Sequence, residues 1–269
     1  MSTPRRVATA ATPRNFPARP QLCIEAHAAK VLPKDCLLIA HRNASHQSLV
    51  TASASLFLEY APRIGPMNVH FFRHGAAISN DPGLTASQIL EARFLDAPLN
   101  DHGREQARAA GRDLAKVLQG TPIDLVLASP LSRALETTEL LLSSAGIAPP
   151  VRVIEILREA HGVRPCDARQ PRSVAAARFP SFDFSAVETD QDTWHEPTAR
   201  ETIQSLRVRC QQFEAILRSL PHRNVIVVSH GVFLEQLLEG SLGASVIPPT
   251  PPGQRYHNCE RRTAILKSS

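Results

Sequence analysis

Apolar runs of strand length alternate with helix-like patterns along most of the chain. From Met67 onward the pattern predicts five strands, at residues 67–73, 123–128, 151–154, 224–229 and 262–266. Stretches with apolar residues at helical spacing separate these runs. Strands that alternate with helices favour an α/β fold: a doubly wound, mainly parallel sheet with helices on both faces.

Capping residues mark the boundaries of the first two predicted helices. Asn100 and Asp101 can cap a helix whose expected apolar stripe is Ala107, Ala110, Leu114 and Val117. Ser129 is a typical N-cap and Pro130 a typical first helical residue, so a second helix is predicted to begin there and to stop at Gly146. Its expected buried residues are Ala134, Leu135, Thr138, Leu141 and Leu142.

A long helix and an irregular segment occupy the C-terminal half. The helix ends at Pro221 and carries apolar residues at helical spacing, namely Ile203, Leu206, Cys210, Phe213, Leu217 and Leu220. A further helix runs through Leu238. Residues 160–198 contain prolines at 165, 171, 180 and 197 and only a short predicted helix at about 174–179. We interpret this segment as an insertion that covers the site.

Residues 1–66 differ from the rest of the chain in composition. They hold eight Lys/Arg against three Asp/Glu, which accounts for the whole formal charge of +5, and they show no sustained periodicity. We expect either a disordered extension or a plastid or mitochondrial transit peptide here, followed by one domain at 67–269. The corresponding location is cytoplasmic, or an organelle if the segment is a transit peptide.

Composition narrows the classes of function. The body beyond residue 66 is electrically neutral, which argues against a nucleic-acid partner. No apolar run approaches the roughly 18 residues of a membrane span, so no membrane partner is expected. Five widely spaced cysteines without a Cys-x-x-Cys pair favour neither a disulfide framework nor a zinc site. The sequence leaves the oligomeric state open.

Basic residues follow three of the predicted strands. Arg73 and His74 end the first strand, Arg133 follows the second, and His230 follows the strand at 224–229. Ligands bind beyond the carboxyl ends of parallel strands, so these four side chains are expected to meet at one edge. Gly75 leaves room there for close backbone approach to a ligand.

Two arginines and two histidines suit a phosphoryl group. Arginine binds phosphate bidentately, and its charge keeps a neighbouring histidine neutral and therefore nucleophilic. The leaving oxygen needs a proton, for which Glu159 is favoured over Glu155. We expect a small phosphorylated molecule as substrate, with no cofactor and no metal ion.

The same residues resemble the histidine phosphatase superfamily, also called phosphoglycerate-mutase-like. The matching segments are residues 73–75, 129–134, Glu159 and 229–231, and the resemblance runs from about Met67 to the C-terminus. It is closest to plant, algal and fungal members, which share residues 158–167, 182–185, 200–202 and 258–260 in outline. The resemblance implies a phosphatase that works through a phosphohistidine. The roles it implies are phosphorylation of His74, phosphoryl binding by Arg73, Arg133, His230 and Asn80, and proton donation by Glu159.

Other functions are compatible with parts of this pattern. Ala76 stands where many members have an acidic or polar residue, which would suit a catalytically inactive phosphate-binding interaction protein. A phosphosugar mutase would transfer the phosphoryl group to a second substrate oxygen. Cys166 and Arg172 have the spacing of cysteine-dependent phosphatases, but the intervening loop lacks the glycine-rich N–H donors of that site. Four arginines of the covering segment either bind an anionic substrate, or form a solvated face or pair with Asp167 and Asp183. They are Arg164, Arg169, Arg172 and Arg178.

Overall fold

The computed structural model describes residues 65–240, 242, 245–247 and 253–267. The predicted extension or transit peptide of residues 1–66 lies almost wholly outside the described residues. A six-stranded sheet has the strand order β3-β2-β4-β1-β6-β5. The strands are β1 (Met67–Arg73), β2 (Leu125–Ala128), β3 (Val151–Val153), β4 (Asn224–Ser229), β5 (Val246–Ile247) and β6 (Arg261–Leu266). The pairs among β1 to β4 are parallel, whereas β6 runs antiparallel to β1 and β5.

Five α-helices of the described residues pack on the two faces of this sheet, which confirms the predicted fold class. They are α1 (Asp101–Leu118), α2 (Ser132–Ala145), α3 (Arg172–Arg178), α4 (Ile203–Ser219) and α5 (Gly231–Glu239). Successive side chains of a strand point to opposite faces of the sheet, so β4 contributes residues to the cores on both faces. Val225 and Val227 join the core of α4 and α5, while Ile226 and Val228 join the core of α1 and α2.

The apolar stripe of α1 differs from the prediction at its C-terminal end. Val117 is 47% exposed, and Leu118 is buried in its place. Ala107, Gly111 and Leu114 complete the buried face. A side chain on Gly111 would meet the backbone of α2, since an added Cβ would lie 2.3 Å from the carbonyl oxygen of Leu141. Likewise Ile203, in the first turn of α4, is 47% exposed rather than part of the buried stripe.

The start of α2 also differs from the prediction. Ser129 and Pro130 precede the helix, and Leu131 is its N-cap. Asp96 provides the capping interaction that was expected of Ser129. Its carboxylate accepts the Ser132 N–H at 2.8 Å and the Ser132 hydroxyl at 2.7 Å. A carboxylate from a distant loop therefore satisfies the helix start, and Ser129 is left for another contact.

The covering segment of residues 160–198 is held by its own arginines. Arg169 is buried, donates to Glu155 at 2.6 Å, and binds the carbonyl oxygens of Thr189 and Asp190. Arg172 donates to the carbonyl oxygen of Val187. Arg178 pairs with Glu136 on α2. These three arginines therefore stabilise the covering segment.

Candidate active site

His74 and His230 lie side by side at one edge of the sheet. Arg73 at the end of β1 is in register with Ser229 at the end of β4, and each histidine is the next residue along its strand. The His74 N–H donates to the carbonyl oxygen of Ser229 at 3.0 Å. The ring centroids of the two histidines are 5.0 Å apart. Parallel pairing of β1 and β4 thus brings together residues that are far apart in the sequence.

The imidazole of His74 is oriented by its own backbone. Its Nδ1 lies 2.7 Å from the carbonyl oxygen of Gly75, an acceptor, so Nδ1 carries the proton and Nε2 carries the lone pair. The Arg133 Nε–H points at this Nε2 from 3.3 Å. Burial, followed by the charges of Arg133 and Arg73, holds the pKa of His74 well below its usual range. The ring is therefore neutral, and burial contributes more than the arginine charges considered in the sequence analysis.

Arg133 is held between His74 and the covering segment. Besides its contact with His74, the guanidinium donates to the carbonyl oxygen of Cys166 and, at 3.3 Å, to the carboxylate of Asp167. Arg133 and Asp167 are both buried. A buried pair of this kind fixes the arginine beside the imidazole, at the cost of desolvating both charges.

Two polar atoms of the site lack hydrogen-bond partners within the described part of the chain. They are the Nε of Arg73 and the Nδ1 of His230, and both are buried. The other ring nitrogen of His230 lies 2.7 Å from the Ser129 hydroxyl. Buried polar groups are nearly always paired, so unpaired ones beside a nucleophile mark a place for a ligand. Arg73 can only donate there, which suits an anion.

Three residues of the segment just before β6 hold the backbone of the motif. The Asn258 amide donates to the carbonyl oxygen of His74 at 2.9 Å, and the Cys259 N–H donates to that of Arg73 at 3.0 Å. The Arg73 guanidinium in turn donates to the carbonyl oxygen of Tyr256. These contacts fix both the main chain and the side chain of Arg73.

Gly75 and Ala76 lie in close contact with Gly103 of α1. A Cβ added to Gly75 would lie 2.5 Å from the carbonyl oxygen of Gly103, and one added to Gly103 would lie 2.0 Å from that of Ala76. The Gly75 N–H donates to the Thr137 hydroxyl at 3.0 Å. Sequence analysis missed Thr137, although its position four residues after Arg133 places both on one face of α2.

Glu159 lies against the first turn of α5, directly after His230. Its carboxylate accepts the N–H groups of Val232 at 3.3 Å and Phe233 at 3.2 Å. Burial lowers the pKa of the Arg73 guanidinium, and the nearby Glu159 offsets part of that effect. The alternative carboxylate, Glu155, is engaged by Arg158 and Arg169. The structure therefore brings Glu159, and not Glu155, to the site.

Two other residues singled out from the sequence lie differently. Asn80 is exposed, and its side chain accepts the Ala77 N–H at 3.2 Å. Among the described contacts none joins it to His74 or to either arginine, and its role as a phosphate contact stays a prediction. Burial and the neighbouring Asp167 raise the pKa of the Cys166 thiol, which opposes a thiolate mechanism. The described residues contain no cluster suited to a metal ion and no helix able to cross a membrane.

Comparison with known proteins agrees with this geometry. Residues 69–261 match the model of the histidine phosphatase superfamily (branch 1), so the chain belongs to that superfamily. It is accordingly an enzyme of the phosphatase type, and the phosphohistidine mechanism is general for this family.

Individual relatives are phosphatases or phosphoglycerate-mutase-like proteins. A phosphoglycerate mutase-like protein of Arabidopsis thaliana is 26% identical, over 74% of this chain and 83% of the relative. The adenosylcobalamin/alpha-ribazole phosphatase of Escherichia coli is 31% identical, over 66% of this chain and 80% of the relative. The crystal structure of the ecdysone phosphate phosphatase from Bombix mori, in complex with tungstate, has a TM-score of 0.50. It is 18% identical and covers 73% of this chain and 88% of that one, which supports the fold alone.

Proposed function

We propose that this enzyme hydrolyses a small phosphomonoester, with Nε2 of His74 as nucleophile and Glu159 as proton donor. The observation that carries the proposal is the His74 ring itself. Its Nδ1–H is held by Gly75, and its Nε2 faces Arg133. Attack on phosphorus requires a neutral imidazole whose lone pair is on the attacking nitrogen, and this arrangement supplies one.

The first step transfers the phosphoryl group to the enzyme. The Nε2 lone pair of His74 forms a bond to phosphorus while the ester P–O bond breaks. Protonated Glu159 gives its proton to the leaving oxygen, so an alcohol departs. Arg73, Arg133 and His230 bind the non-bridging oxygens, where charge must be stabilised in the transition state.

The second step regenerates the enzyme. The carboxylate of Glu159 takes a proton from water as the water oxygen attacks phosphorus. The P–N bond breaks, inorganic phosphate forms, and the electron pair returns to Nε2 of His74. Glu159 is protonated again and ready for the next substrate.

Phosphate release from a panel of phosphorylated metabolites and 4-nitrophenyl phosphate tests this proposal. Wild type and His74→Ala would be compared in the presence of EDTA, with circular dichroism as the control for folding. We expect turnover in the wild type and its loss in a folded variant. Substantial activity in His74→Ala would refute the nucleophile assignment. Loss of wild-type activity in EDTA would show that a metal ion takes part.

Product analysis in the same assay distinguishes the mutase alternative. A mutase would return the phosphoryl group to a different oxygen of the substrate faster than it releases phosphate.

The alternative of a catalytically inactive phosphate-binding protein rested on Ala76. The N–H of Ala76 binds the Gln106 side chain, and its carbonyl oxygen accepts the Asn100 N–H. Ala76 thus joins the motif to α1 through its backbone. This contact does not favour the hypothesis of an inactive protein.

A further inference from the structure

A charged residue lies on the buried face of α4. Arg209 stands between Leu206 and Cys210 on that face, and only 6% of its surface is exposed. Its guanidinium pairs with Glu201, whose side chain is 2% exposed. An arginine at this depth requires partners for all its donors, because an unpaired buried charge is strongly unfavourable.

All five N–H donors of Arg209 have acceptors. Nε and one Nη2–H bind the two carboxylate oxygens of Glu201. The Nη1 donors bind the carbonyl oxygens of Ile156 at 2.9 Å and Arg158 at 2.6 Å. The second Nη2–H binds the carbonyl oxygen of Glu159 at 3.1 Å. Three of the five bonds thus hold the main chain that leads into and through Glu159.

Arg209 also contacts a residue that binds the Glu159 carboxylate. Its guanidinium carbon lies 5.0 Å from the centroid of the Phe233 ring, and the Phe233 N–H donates to Glu159 Oε1. Glu201 holds the main chain just after Glu159, since its N–H donates to the carbonyl oxygen of His161 at 2.9 Å. The guanidinium therefore ties the backbone of Glu159 to the helix start that holds its carboxyl group.

We propose that Arg209, anchored by Glu201, is a positioning residue that sets the carboxyl group of Glu159 for proton transfer. This inference rests on the proposed function of Glu159. Arg209 makes no contact with the reacting atoms and acts through the main chain at residues 156–159. A lysine keeps the charge but has one nitrogen in place of three, so it cannot hold Glu201 and three carbonyl oxygens together.

The test compares two substrates whose leaving groups differ in their need for a proton. 4-Nitrophenolate departs without protonation, whereas the alkoxide of β-glycerophosphate does not. We expect Arg209→Lys to lower kcat/KM for β-glycerophosphate at least about tenfold more than for 4-nitrophenyl phosphate, as partial loss of a general acid should. If Arg209→Lys fails to fold, Glu201→Gln, which removes the charge that anchors Arg209, is measured in its place with the same selective loss expected.

Arg169→Lys is the matched control. Arg169 is also buried, pairs with a glutamate and binds several carbonyl oxygens, but it does not touch Glu159. We expect its replacement to change kcat/KM for both substrates by the same factor. If Arg209→Lys shows the same uniform loss as Arg169→Lys, Arg209 has a structural role only and the inference is wrong.

Glu159→Gln distinguishes a failure of this inference from a failure of the proposed role of Glu159. Combined with Glu159→Gln, Arg209→Lys should cause no further selective loss on β-glycerophosphate, because the group it positions is gone. A selective loss that persists in the double variant would show that Arg209 acts by another route, and would overturn the inference alone. If Glu159→Gln by itself shows no selectivity between the substrates, the proton-donor assignment fails, and the inference fails with it.

Discussion

The two histidines of the site use opposite ring nitrogens for their hydrogen bonds to the surrounding protein. His74 places Nδ1 on a carbonyl oxygen and leaves Nε2 for attack. His230 places Nε2 near the Ser129 hydroxyl and leaves Nδ1 unpaired among the described groups. The partner of one ring nitrogen decides the role of the other. A nucleophile and a phosphoryl-binding group thus arise from the same type of side chain.

Replacing Ser129 tests this difference. Ser129→Ala removes the only described hydrogen-bond partner of the His230 ring, so the ring loses its fixed orientation. We expect kcat/KM for 4-nitrophenyl phosphate to fall about tenfold, the effect of one hydrogen bond worth roughly 1.4 kcal/mol. Thr138→Ala is the control, because that buried hydroxyl bonds only within α2, to Ala134. Equal activity of the two variants would contradict the role of Ser129.

Ser129 also shows where local sequence signals mislead. Ser-Pro is a good helix start by propensity, and nothing nearby in the sequence opposes it. The cap comes instead from Asp96, which meets Ser132 only after the chain has folded. Arg209 was missed for a related reason. A charge on an apolar helical stripe is a signal in itself, but its partners lie up to 53 residues away in the sequence.

At the scale of elements, the end of β1 and the start of α1 meet through two glycines. An alanine at 103 would place a Cβ 2.0 Å from the carbonyl oxygen of Ala76, where the neighbour is backbone and cannot move aside. We expect Gly103→Ala to lower the free energy of unfolding by about 1–3 kcal/mol, as overpacking does, and to reduce activity by displacing Ala76, which follows the motif directly.

Urea unfolding and phosphate release measure these two effects. Gly83→Ala is the matched control, because its added Cβ would meet only the Asp81 side chain, at 3.3 Å. A Gly103→Ala protein as stable and as active as Gly83→Ala would show that the contact is not required.

Strands and helices themselves were largely predictable from the sequence. Parallel strands buried on both faces are continuous apolar runs, and β1 and β4 have the predicted bounds. Helix faces were less certain, since Val117 and Leu118 are adjacent and both apolar. Which of the two is buried depends on where α2 packs against α1, and the sequence of α1 alone does not reveal this. The strand β5 has two residues, too few for a recognisable pattern.

At the scale of the whole molecule, buried neutral histidines make the fold sensitive to acid. Burial and the neighbouring Arg261 lower the pKa of His70 to about 4, and burial holds those of His74 and His230 well below their usual range. A histidine whose pKa is lower in the folded state favours folding fully above about pH 6.5. That contribution is lost as the pH falls below 6.5.

His70 isolates one part of this effect. Between pH 6.5 and pH 5 its contribution to the free energy of unfolding should fall by about 1.5 kcal/mol. We therefore expect His70→Asn to lose about 1.5 kcal/mol less than the wild type over this interval, measured by urea unfolding at both pH values. His102→Asn, on the exposed side of α1, is the control and should behave as the wild type. If His70→Asn loses as much unfolding free energy between the two pH values as the wild type, the lowered pKa of His70 is contradicted.

The contact between Gly75 and Gly103 has a consequence for inherited variation. Gly103 occupies the space that a side chain on Gly75 would need, and the neighbouring Ala76 occupies the space that a side chain on Gly103 would need. The two positions therefore depend on the same close approach of the motif and α1. No change at one can compensate for a change at the other. A missense allele at codon 103, on a helix that carries none of the catalytic groups, should therefore give the phenotype of a lesion in the nucleophile's own motif.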